Sequence, residues 1–408
     1  MRILIIEEAL QSGGGHWPSY IGEVARGMRA MGDKVDILMH KNAVPELVEE
    51  MQGIPYLSKN CWLDAASQGA MGGIRHNLTL RGELSRWFSI HQPYDWVCCL
   101  TMRLQHLLAM ALLSRSGLIP SKTRFLLLFV QSFGAYAGAN KPTVFPRNLS
   151  SRLTRFCFRL LAPGVRSDRV LLAGETKGMQ DELQRFTQLS VRLFPHPVPS
   201  PTEKKEAELA SCSAGEAGSS EVIITITCPG FARYEKGNDL LQEAIKIILS
   251  RPSGNSCRFV MQWPKVFEMP DGTFLEPDLE LRSDDRVEFV NHLLDAKAYE
   301  HLFERSDLVV LPYRRKSYHQ RLSRVAIEAA GRGIPLIYTS GTWISEVAEI
   351  VGDGVAIQNE TVLDVVKAIE AALVRIEQLE MCAHREMATV QNYHSAANFR
   401  HKLIDHDS

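Results

Sequence analysis

Two cations three residues apart, Arg233 and Lys236, stand in the loop CPGFARYEKGNDLL between Gly230 and Gly237. The β-branched run at 222–227 before them reads as a strand, and Leu240 and Leu241 begin the packed face of a helix. A guanidinium and an ammonium at the carboxyl end of a strand make a clamp for a diphosphate, although surface salt bridges explain this loop equally well when it is read alone. A second set lies in SYHQRLSRVAIEAAGRGIP, residues 317–335. Ser323 reads as an N-cap, Ala326, Ile327 and Ala330 give a packed face, and Gly333-Ile334-Pro335 stops the helix. The backbone N–H groups of Arg324, Val325 and Ala326 are then left over for an anion. Glu328, one turn further on, offers two oxygens to a pair of sugar hydroxyls. Glu328 also stands four residues from both Arg324 and Arg332, the spacing of ordinary helix ion pairs. The third set is QSGGGHWPSYIG, where Gly13, Gly14 and Gly15 let a backbone approach a ligand ahead of a helix start, with His16 as a candidate substrate contact. An ordinary flexible turn is the plain alternative. The spacing is not GxGxxG, which speaks against a nicotinamide or flavin site.

Positioning these loops requires strands and helices in alternation. In the first half, apolar β-rich runs fall at 3–6, 35–39, 96–100, 125–130, 170–173 and 191–194. Ile21, Val24, Ala25, Met28 and Met31 recur at helical spacing after the first loop, and Gly32 closes that helix. Residues 199–220, PSPTEKKEAELASCSAGEAGSS, are poor in large apolar side chains and read as a linker. A second series follows, with strands at 222–227, 258–262, 287–290, 308–311 and 336–339 and helices between them. The expected architecture is α/β, with two Rossmann-like domains facing across a cleft. Their boundaries are 1–198, a linker at 199–220, 221–385, and a C-terminal helical segment at 386–408 that returns to the N-terminal domain.

A chain of 408 residues exceeds the size at which single cores stop growing. Its formal charge is −1, so no overall field favours nucleic acid. The balance is uneven, with 23 Lys and Arg against 15 Asp and Glu over residues 1–200, leaving 23 against 32 for the remainder. That asymmetry suggests that the first half faces an anionic partner, with chance distribution as the competing reading. Eight cysteines are scattered without CxxC or a spaced histidine, the pattern of buried free thiols. The opening MRILIIEEAL is a strand rather than a signal peptide, and no run reaches the roughly 20 apolar residues of a membrane span. A cytoplasmic protein is expected.

Taken together, GFARYEKGNDLL, RVEFVNHLLDAKAYEHLFERSDLVVLPY and YHQRLSRVAIEAAGRGIPLIYTSGTW resemble the retaining glycosyltransferases of the GT-B fold, specifically glycosyltransferase family 4 (glycosyl transferases group 1). GGGHWPSYIGEVARGMRAMGDKVDIL looks like the family's first βα unit and FPHPV, residues 194–198, like the end of its N-terminal domain. The resemblance implies that Arg233 and Lys236 bind the diphosphate of a nucleotide-sugar donor and that Glu328 binds its ribose. Gly14, Gly15, Gln320, Arg321, Ser323, Arg324 and Val325 would complete the donor site, with no metal and no cofactor. Three positions depart from the family pattern. Gln320 stands where many members carry a first glutamate, Arg324 where a glycine is frequent, and Gln131-Ser132 where a histidine is often found.

For the acceptor, a glycan, a lipid-linked sugar or a small molecule is expected, with His16 and Gln131 as candidate contacts. The segment SRLTRFCFRLLAPGVRSDR places Arg152, Arg155 and Arg159 at i, i+3 and i+7, a basic helix that could lie against the inner face of a membrane. A packed helix with a solvated arginine face is the plainer reading. The expected function is transfer of a sugar from a nucleotide-diphosphate donor with retention. The alternatives are a catalytically silent sugar-nucleotide-binding protein and another GT-B enzyme, such as a sugar-nucleotide epimerase or a phosphorylase.

Overall fold

The protein was analysed as a computed structural model, which describes residues 1–13, 16–138, 141–199, 223–352 and 354–405. Gly14, Gly15 and the side chain of His16 lie outside the described residues, as does the expected linker apart from Pro199. The chain packs as two units: Met1–Val198 with Gln320–Leu322 and His394–Ser408, and Pro199–His319 with Ser323–Tyr393.

The first unit is built on a parallel sheet of seven strands: β1 (Arg2–Glu7), β2 (Lys34–His40), β3 (Ile54–Leu57), β4 (Trp96–Met102), β5 (Arg124–Phe129), β6 (Val170–Gly174) and β7 (Arg192–Leu193). Their order is β3-β2-β1-β4-β5-β6-β7. Six of these strands match the runs read from the sequence. β3 was not anticipated, because Pro55 interrupts a short, half-buried segment that is tolerated only at a sheet edge. The helix His16–Ala30 buries Ile21, Val24, Ala25 and Met28 on the sheet. Met31 was expected on the same face but lies beyond the helix end and is 37% exposed.

The second unit carries a parallel six-stranded sheet: β8 (Ile224–Cys228), β9 (Cys257–Gln262), β12 (Val287–Val290), β13 (Leu308–Leu311), β14 (Leu336–Thr339) and β15 (Val355–Ile357). A small antiparallel hairpin, β10 (Phe267–Glu268) and β11 (Phe274–Leu275), is inserted between β9 and β12. The sheet order is β12-β9-β8-β13-β14-β15, so strand order reverses at β8. In open α/β sheets ligands bind beyond the carboxyl ends of the strands at such a reversal, and the loop leaving β8 carries Arg233 and Lys236. β15 and the hairpin escaped the sequence reading because two- and three-residue strands have no measurable period.

The final helix, Ala396–Ile404, belongs to the first unit and crosses the helix His16–Ala30 at Gly27. A Cβ on Gly27 would stand 2.1 Å from that of Ala396, so only glycine permits the crossing. Arg400 donates to buried Asp33 (Nη2 to Oδ1, 3.0 Å), which also accepts the N-terminal ammonium at 2.9 Å. Burial alone would raise the Asp33 carboxyl, but these two cations hold it below its usual range.

A buried polar network fastens the loops beyond β1 and β4. Glu8 Oε1 accepts the Cys61 N–H at 2.5 Å and lies 3.1 Å from His106 Nε2, while Oε2 lies 2.8 Å from His76 Nε2. Burial alone would raise the Glu8 carboxyl, yet His106 and His76 hold it well below the usual carboxylate range. Its neighbour Glu7 behaves oppositely. Burial pushes Glu7 up to about 7, against the hydrogen bonds it accepts from Thr101 and Ala9.

Gly27→Leu should separate the last helix from the first, lowering the thermal midpoint and opening residues 394–405 to limited proteolysis. For Glu7 the folded pKa exceeds the ordinary 4.5, so its contribution is fully present below that value and is lost as pH rises towards 7. Denaturant titrations should therefore show stability falling between about pH 4.5 and 7 in the wild type, with a flatter profile in Glu7→Gln.

Candidate functional site

The site of the second unit begins with the turn after β8. Gly230 adopts φ +85° and donates its N–H to Gln262 Oε1 at 2.6 Å, while Gln262 O accepts from Ala232 N–H at 3.1 Å. The end of β9 thus fixes the path of the loop leaving β8. Arg233 N–H donates to Asn238 Oδ1 at 3.0 Å, and the single helical turn Tyr234–Lys236 ends at Gly237, with φ +67°. A Cβ at Gly237 would stand 2.0 Å from Pro312 O, so both the left-handed backbone and the close approach demand glycine.

Lys236 is only 7% exposed, and its ammonium lies 5.6 Å from the centre of the Tyr313 ring. A Cβ on Gly230 would stand 2.5 Å from Lys236 Nζ and 3.5 Å from Val325 Cγ2. The glycine therefore makes room for the ammonium beside the backbone, and Val325 at the start of the helix Arg324–Ala330 borders the same spot. Burial pushes the nearby Cys228 thiol up to about 11, with Lys236 opposing the shift. The Arg233 side chain is much more open and pairs with Glu235 at 3.5 Å. The expected clamp is thus one buried and one exposed cation on the same loop.

The second half of the site is the helix Arg324–Ala330. Ser323 caps it as the sequence indicated, accepting from Ala326 N–H at 3.3 Å. Glu328 is almost completely buried. Its Oε1 accepts from Arg324 Nε at 2.7 Å and its Oε2 from the Tyr299 hydroxyl at 3.0 Å, while Arg332 Nη1 donates to its backbone carbonyl at 2.8 Å. Arg324 therefore turns back along the helix to Glu328. Tyr299, on the helix Ala296–Glu304, is a neighbour of Glu328 that sequence spacing could not reveal. Burial and the Glu328 carboxylate push its hydroxyl well above the usual tyrosine range, so it stays a proton donor. A carboxylate has about four acceptor sites. Two are used here, leaving capacity for a further pair of hydroxyls.

Gln320 groups with the first unit, where Thr176 Oγ1–H donates to its carbonyl at 2.7 Å and its side chain packs against Gly178. Its side-chain Oε1 is buried without a hydrogen-bond partner among the described residues. Arg321, next to it, is exposed. Gln131 is also exposed and lines a cavity of about 230 Å³ in the first unit with Arg103, Gln105, Ser132, Asn148 and Ser151.

Among the described residues, Glu8, Cys61 and His106 bring three donor atoms within 4.8 Å of one another, a grouping invisible in the cysteine spacing of the sequence. Hydrogen bonding accounts for it. Arg103 N–H donates to His106 Nδ1 at 3.2 Å, which places the ring proton on Nε2, facing Glu8. A nitrogen carrying its proton there is not a metal ligand.

The description "Glycosyl transferases group 1" belongs to the family model that matches residues 223–375. No curated protein matches the sequence. Among solved structures, a glycosyltransferase from Rickettsia africae shares 13% identity and superposes with a TM-score of 0.61 over 99% of this chain and 96% of that one. HepE of Anabaena in complex with UDP also shares 13% identity, with a TM-score of 0.61 over 99% and 98% of the two chains. A trehalose-6-phosphate protein from E. coli bound with UDP-2-fluoro glucose gives 13% identity and a TM-score of 0.63, over 99% and 98%. At that identity the likeness concerns the fold, while the family match covers the unit that holds Arg233, Lys236 and Glu328. Residues 223–375 are therefore similar to the glycosyl transferases group 1 family, in a chain of two parallel-sheet α/β units that share the GT-B fold of the solved structures.

Proposed function

We propose that this protein transfers a sugar from a nucleoside diphosphate sugar to a glycan, lipid-linked or small-molecule acceptor, with retention of configuration and without a metal ion. The observation that carries the proposal is the ammonium of Lys236, held under the β8 turn at the strand reversal, with Arg233 on the same loop. Cations placed where charge develops on the leaving diphosphate need no reorganisation during reaction, and each such contact contributes roughly 3–4 kcal/mol in comparable sites. Glu328 would take the ribose hydroxyls on the acceptor sites left by Arg324 and Tyr299. Gln320 would hold a sugar hydroxyl through its unpartnered amide oxygen, a neutral contact in place of a charged one. Two solved structures of the same fold contain UDP or a UDP-sugar, which favours a nucleotide-sugar donor here.

The test is a screen of UDP-, GDP- and ADP-sugars for binding and for slow donor hydrolysis, followed by Lys236→Met. With the aliphatic stem kept and the charge removed, kcat/KM should fall by about 10²- to 10³-fold while the fold is retained. Unchanged activity would refute the clamp, and binding of a nucleotide-sugar without any turnover would favour a silent binding protein instead.

For the acceptor we propose contact with an anionic membrane surface through the helix Leu149–Arg166. Arg152, Arg155 and Arg159 are all exposed on it, and Leu149 and Phe156, 76% and 50% exposed, stand beside them. Apolar side chains between arginines on an open helix face suit an interface of lipid headgroups. In liposome flotation, the wild type should bind vesicles containing phosphatidylglycerol and lose that binding in high salt. The Arg152/Arg155/Arg159→Ser variant should remain in the soluble fraction; equal recovery of both proteins with the vesicles, or of neither, would overturn the contact.

A further inference from the structure

We propose that the second unit has a separate binding site for a small amphipathic anion, a phosphate, sulfonate or carboxylate carried on a planar apolar body, under the β10–β11 hairpin. A cavity of about 440 Å³ lies there, within the roughly 300–1,000 Å³ range of small-molecule sites. Its walls include Val266 and Phe289, and its polar side chains are Trp263, Lys265, Arg282 and Asn291, with no carboxylate among the lining residues. Trp263 is 2% exposed, and its indole N–H is buried without a hydrogen-bond partner. Lys265 is exposed, and Arg282 pairs with Glu276, 3.6 Å away and itself mostly exposed. Two cations beside the Asn291 amide and the Phe289 and Val266 walls together fit an anion with a flat apolar body.

The cavity is on a different side of the sheet from Glu328. Val260 and Val290 pack with Leu302 of the helix Ala296–Glu304, the helix that also presents Tyr299 to Glu328. Val287, Phe289, Met261 and Trp263 pack on the opposite face with Ile245 and Leu281. Since β-strand side chains alternate between faces, strands β9 and β12 stand between the two sites. Residues 264–278 carry the hairpin between β9 and β12 and supply Lys265 and Val266.

The probe is 8-anilinonaphthalene-1-sulfonate, a planar apolar anion whose fluorescence rises when it leaves water. The full-length protein should bind it saturably at one site per chain, and saturating UDP should leave that binding unchanged. Lys265→Ala combined with Arg282→Ala removes two surface charges, so circular dichroism should be unaltered while the dissociation constant rises about tenfold or more. Absence of saturable binding, equal affinity in the double variant, or displacement by UDP would each overturn the proposal, the last by making the cavity part of the nucleotide site.

Discussion

The second unit is organised around an ammonium group kept out of water. Lys236 can lie beneath the β8 turn only because Gly230 has no Cβ, and Gly230 keeps its left-handed turn because Gln262 accepts its N–H. Gln262 ends β9, and Gly237 closes the turn against the carbonyl of Pro312, just past β13. The neighbours of β8 on both sides thus determine where one cation sits. A buried charge is costly unless its surroundings are polar or charged, and such placement persists where an anion is to be met.

The helix Arg324–Ala330 answers with the opposite charge arrangement. Glu328 could have been an unremarkable i, i+4 partner of Arg324, and the structure does contain that pair. The pair alone does not explain the burial of Glu328, since surface helix ion pairs of this spacing contribute only about 0.3–0.5 kcal/mol. Tyr299 is the addition that matters, because its hydroxyl holds the second carboxylate oxygen from a neighbouring helix. Both partners donate to the carboxylate from fixed positions, so its remaining acceptor sites are oriented before any ligand arrives.

What could be read from the sequence was local. The alternation of β-branched runs with helical periods located the strands of both sheets, and Ser323 announced its helix because capping involves residues three apart. The Gly230–Gly237 loop was legible for the same reason. Contacts that join distant segments were not. Tyr299 and Glu328 lie on different helices, and Glu8 gathers Cys61, His76 and His106 from separate stretches of the chain. Cysteine spacing gave no metal motif, and it could not show that Cys61 would lie 3.5 Å from His106. That proximity is a product of the fold, and the direction of the Arg103 N–H bond is what separates a hydrogen-bonded cluster from a ligand set.

The two departures from the family pattern in the opening of this helix can be understood together. A glycine at 324 would leave Glu328 with Tyr299 as its side-chain donor; an arginine there places a guanidinium on Oε1 and stabilises the ionised carboxylate. The Arg324 side chain is thereby drawn along the helix towards Glu328, with its Nε committed. At Gln320 a charge is absent, and the amide oxygen that remains has no protein partner. In the second unit the fixed negative charge of this helix therefore sits at Glu328, held by Arg324 on its own helix and by Tyr299 on a neighbouring one.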